Sequence, residues 1–172
     1  MSSKISVIKI IKDHCSTLVD RNAIKPGGDD IFYFLILPII IPIIIIFLLG
    51  FDFYESKDLK KTLVSSLAIF VGLLFNALVI LINIAKNDET RDIKQKVIQQ
   101  LIANISFSII IAFIAVVIIL TRYWIIPGFI QTTYLPSISQ IIDFIALFLL
   151  TNFFFTFLMI MKRTYLIINT DA

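Results

Sequence analysis

TLVSSLAIFVGLLFNALVILINIA, residues 62–85, runs for 24 positions without a charged side chain. A spanning helix needs about 20 apolar residues, at about 1.5 Å each, to cover a hydrocarbon core of about 30 Å. Three further stretches have the same character: 31–51, 99–121 and 140–161, none of which contains Lys, Arg or Glu. The expected fold is an all-α membrane protein of four transmembrane helices. Of the 172 residues, 59% are hydrophobic, more than a soluble domain of this size covers with polar surface.

Two regions are expected: an amphipathic N-terminal segment over 1–28 and a four-helix transmembrane domain over 29–172. What lies between the spans is too short for a separate soluble domain. The first 30 residues carry charge throughout and have no continuous apolar core, so the first span doubles as an uncleaved insertion signal.

The basic residues are distributed unevenly. Eleven lie before the first span, in the connection after residue 85, or beyond residue 161; four lie in the other two connections. The positive-inside rule places both termini in the cytoplasm. The expected protein is therefore multi-pass, with its basic side facing the cell interior.

Within 1–28, Ile5, Ile8, Ile11, Cys15 and Leu18 recur at helical spacing, and Val7, Ile10 and Val19 widen the apolar stripe. Lys9 and Asp13 stand one turn apart on the polar side, and Pro26-Gly27-Gly28 ends the element. Such a helix fits against the inner leaflet, or against the cytosolic ends of the spans or a partner. His14 and Cys15 are the sole histidine and cysteine, and the pair is read as incidental. One cysteine excludes an intrachain disulfide and argues against structural zinc.

Polar residues in the spans form stripes. In the second, Ser65, Gly72, Asn76 and Asn83 share a face; in the third, Asn104 and Ser108; in the fourth, Asn152 and Thr156. Two readings stand: helix packing, within the bundle or between subunits, or the lining of a hydrated pore. Pro38 and Pro42, one turn apart in the first span, kink it and are hinge candidates. Asp143 is the only ionisable residue inside a span and is read as a helix-end anchor. No mid-membrane charge provides for proton or ion coupling.

The connection KNDETRDIKQKVIQQ is highly charged and free of Gly and Pro. With Arg91, Lys94 and Lys96 it reads as a solvated mixed-charge face, and it is the largest cytosolic feature between spans on which a soluble partner could dock. Phosphate loops, metalloprotease motifs, catalytic triads and metal-spaced Cys/His clusters are all missing, so neither an enzyme nor a cofactor is expected. The scattered basic residues do not form a nucleic-acid surface.

Three segments carry a family resemblance: FVGLLFNALVIL at 70–81, NISFSIII at 104–111 and LTNFFFTFLMIMKRTYLII at 150–168. In order and spacing, residues 62–168 resemble the KwaA family, the four-span membrane subunit of the Kiwa antiphage defence system. The resemblance implies a homo-oligomer, a tetramer in particular, in the bacterial inner membrane. It further implies a sensor or scaffold for antiviral defence that recruits a cytosolic, DNA-binding, KwaB-like effector, on a partner face that would include Arg91, Lys94, Lys96, Lys162 and Arg163. A membrane-depolarising pore or channel, or a phage holin or exclusion protein, is the alternative expectation.

Overall fold

The computed structural model describes residues 7–17, 32, 36–48, 57–87, 92–124 and 135–169. It is all-α. Helix α1 is Val7–Thr17, α2 is Leu37–Ile43 with a π-helical continuation Ile44–Leu48, α3 is Lys57–Asn87, α4 is Asp92–Trp124 and α5 is Leu135–Asn169.

Three helices contain stretches long and apolar enough to cross a bilayer: Asp58–Lys86, Val97–Thr121 and Gln140–Tyr165. The chain is a multi-pass membrane protein. Of the expected first span, the shorter apolar helix Leu37–Leu48 is described, and most of 31–36 and 49–51 lies outside the described residues. Twelve residues reach only about 18 Å, short of a full crossing.

Helix α4 is the centre of the bundle, packed against α3, α5 and α1, while α2 leans on α5. Its buried seam is Ile98, Leu101, Ile105, Ser108, Ala112, Ala115 and Ile119, a strict alternation of three- and four-residue steps. In α5 the same alternation runs through Asp143, Ala146, Leu150, Phe153, Phe157 and Ile160. In α3, Lys60, Leu67, Leu74 and Leu81 recur every seventh residue. A 3.5-residue repeat keeps one stripe facing its neighbours over a long length, as in coiled coils.

Hydrocarbon tails are as apolar as leucine, so lipid supplies no hydrophobic drive for helices to associate; close van der Waals fit must supply it. Ala112 and Ala115 are fully buried and let neighbouring helices approach α4. Large side chains elsewhere point outward, Phe113 among them at 66% exposure, and belong against lipid.

Pro38, Pro42 and Ile46 form the buried face of α2 at four-residue steps. Pro38 lies in the first turn, where a missing N–H costs little. Pro42 is interior: it cannot donate to the carbonyl of Pro38, and its ring crowds that carbonyl. The change from α to π winding begins two residues later.

Replacing Ala115 by Leu should overfill the seam and cost about 1–3 kcal/mol. Phe113→Leu, on the lipid side, should be nearly neutral. Thermal unfolding in mild detergent, followed by size-exclusion recovery, should show an earlier loss for Ala115→Leu alone.

Candidate functional site

The main polar cluster forms where α1 meets the bundle. His14 Nδ1 lies 2.9 Å from Asn104 Oδ1, and the Thr17 hydroxyl donates to the same oxygen at 2.9 Å. With the amide oxygen as acceptor, the imidazole carries its proton on Nδ1. The His14 ring stacks on Phe107, centroids 3.7 Å apart and planes 12° from parallel. From α5, Arg163 Nη2 donates to the backbone carbonyl of Thr17 at 2.7 Å.

Thr17 is the last described residue of α1, and the Arg163 guanidinium satisfies its carbonyl. Three elements are thereby tied at one point, with Asn104 buried to 0% exposure. Its oxygen accepts twice, whereas its Nδ2, like the Ser108 hydroxyl one turn on, is buried without a hydrogen-bond partner among the described residues. Cys15 is exposed, so it does not share the pocket of His14.

Burial holds the His14 pKa below the ordinary imidazole value of 6.5; the bond to Asn104 works against this and the Arg163 charge adds to it. Asn104 and Phe107, which α4 presents to the ring, carry no charge. Asp13 and Lys12, its neighbours on α1, are exposed.

At the opposite end, Lys60 of α3 and Asp143 of α5 occupy seam positions at 4% and 5% exposure. Phe70 packs edge-on against the rings of both Phe153 and Phe157. Lys60 and Asp143 carry opposite charges and are both turned into the protein, so Asp143 faces the bundle rather than headgroup water.

The sequence stripes separate into two groups. Asn104, Ser108, Asn152 and Thr156 are buried in the bundle. Asn152 Nδ2 donates to the Phe148 carbonyl at 3.2 Å and Thr156 to the Asn152 carbonyl at 2.9 Å, so these α5 groups bond along their own helix. Ser65, Gly72, Asn76 and Asn83 are all exposed, on the side of α3 opposite its seam. A Cβ on Gly72 would meet nothing within 4 Å. All four lie within the uncharged run 62–85 of α3, Asn76 nine residues before its end.

Lys162 is exposed and Arg163 partly buried. Arg91 lies outside the described residues, as do the side chains of Lys94 and Lys96. Among the described residues no group of three His, Cys, Asp or Glu side chains is placed to hold a metal ion. No family model, curated protein or solved structure matches the chain.

Lys60→Met or Asp143→Asn alone should destabilise the bundle more than the double substitution, which removes both charges; thermal unfolding of the three variants measures this coupling. For His14, the lowered pKa means that docked α1 binds fewer protons than free α1. Docking is then at full strength above about pH 6.5 and is lost as pH falls below it. Amide exchange of residues 7–17, corrected for intrinsic rates, should speed up between about pH 7.5 and about pH 5.5, with the seam of α4 unchanged. His14→Gln should abolish that pH dependence.

Proposed function

We propose that the chain is a non-enzymatic membrane scaffold or sensor that works as a homo-oligomer, crosses the membrane four times and keeps both termini in the cytoplasm. The observation that carries this reading is the outward face of α3. The polar groups of α4 and α5 are turned into the bundle, while Ser65, Gly72, Asn76 and Asn83 face away from it. Open space at Gly72 has no use within one chain. A glycine at a lipid-facing helix position serves close approach by another helix. A second copy of the chain is the partner that satisfies this face.

The resemblance to the KwaA family supports the specific form of the proposal: an inner-membrane subunit of an antiphage defence complex. In that form the α1 end of the bundle, with Lys162 and the charged connection beyond α3, recruits a cytosolic KwaB-like effector. The asymmetry of basic residues supports placing that end in the cytoplasm.

Native mass measurement of the full chain in mild detergent should give a closed oligomer, and Gly72→Leu should shift it toward the single chain. A monomeric wild type overturns the assembly. In reconstituted vesicles, an ion conductance that Asn76→Leu abolishes would replace the scaffold by the depolarising pore.

A further inference from the structure

Helix α1 divides into three sectors, each at three- and four-residue spacing. Ile10, His14 and Thr17 face the bundle, half-buried or buried. Lys9, Lys12, Asp13 and Ser16 are exposed and polar. Ile8, Ile11 and Cys15 are exposed and apolar, Ile8 at 77%. Docking on α4 thus uses one edge of the apolar arc and leaves the other uncovered.

The depth of this helix is fixed at Thr17. Thr17 is bonded by Arg163, which with Lys162 ends the uncharged run 144–161 of α5. Those 18 residues span about 27 Å, close to a hydrocarbon core. The lipid–water boundary therefore passes through the His14–Asn104–Arg163 cluster, and the uncovered flank of α1 starts there, continuous with the lipid-facing belt of the bundle.

We propose that α1 is an interfacial helix: its Ile8, Ile11 and Cys15 flank rests in the acyl boundary of the leaflet on its own side, and Lys9 and Lys12 meet the phosphates above. Apolar side chains lower their free energy by entering the boundary, and lysine stems extend to the headgroups. The inference rests on the chain being membrane-embedded, and not on which side α1 occupies.

The native cysteine provides the test. Carry a nitroxide on Cys15, and in the Cys15→Ser background on Ile8→Cys, Ser16→Cys and Phe113→Cys. Reconstitute the full chain in phosphatidylcholine vesicles containing phosphatidylglycerol. Power-saturation accessibility should favour oxygen over a water-soluble nickel chelate several-fold at Cys15, Ile8→Cys and Phe113→Cys, and reverse at Ser16→Cys. Nickel preference at Cys15 or Ile8→Cys, with Phe113→Cys still favouring oxygen, overturns the proposal and leaves the membrane reading intact. Exclusion of both reagents at Cys15 and Ile8→Cys overturns it in favour of a protein cover. Nickel preference at Phe113→Cys removes the membrane reading and the proposal together.

Discussion

Hydrocarbon offers no hydrogen bond, so a polar side chain carried into the membrane is stabilised where it finds a partner in the protein. That constraint sorts the polar residues of the spans. Thr121, Thr151, Asn152 and Thr156 each donate to the carbonyl four residues back in their own helix. They are satisfied without recruiting a neighbour, and they hold no two helices together by hydrogen bonding. Association falls instead to shape: the 3.5-residue seams of α3, α4 and α5, with Ala112 and Ala115 removing bulk where bulk would separate the helices. Asn104 is the exception. It accepts from α1 at the membrane boundary, where a bond between elements fixes an arrangement as well as satisfying a group.

The bundle is longer than the membrane it crosses. Helices α3 and α4 have 31 and 33 residues, about 47 and 50 Å, against about 27 Å for the uncharged run of α5. The charged turns of α3 lie at 57–61 and those of α4 at 92–96, at opposite ends of the bundle.

The spans were legible because charge is absent from them, and charge is what lipid rejects. The helices run past the spans: α4 is described from Asp92 and α5 as far as Asn169, because polar residues outside the membrane keep helical hydrogen bonds intact. The seams were hidden in the sequence. Where nearly every residue is apolar, a hydrophobic period has no contrast, and only the small and polar residues mark the inner face. Asn104, Ser108 and Ala112 did so in α4; in α3 the same kind of stripe marks the outer face, and no local rule separates the two cases. The His14–Cys15 pair carries no sign of the cluster, because Cys15 is exposed while His14 is buried. The available signal was its spacing from Ile10 and Thr17, at one edge of the apolar arc.

The polar character of the α1 clamp follows from the medium. Near the acyl boundary an isoleucine side chain loses little whether it lies against α4 or against a lipid tail, so apolar contacts alone would let α1 slide and rotate. A hydrogen bond discriminates. The Asn104 oxygen, the Phe107 ring and the Arg163 guanidinium together define one position and one rotation of the helix, which lipid cannot imitate. Such a clamp gains modest net energy, because each group gives up water to form it. Its hold therefore depends on the protonation of His14, and an apolar seam of equal area would have no such dependence.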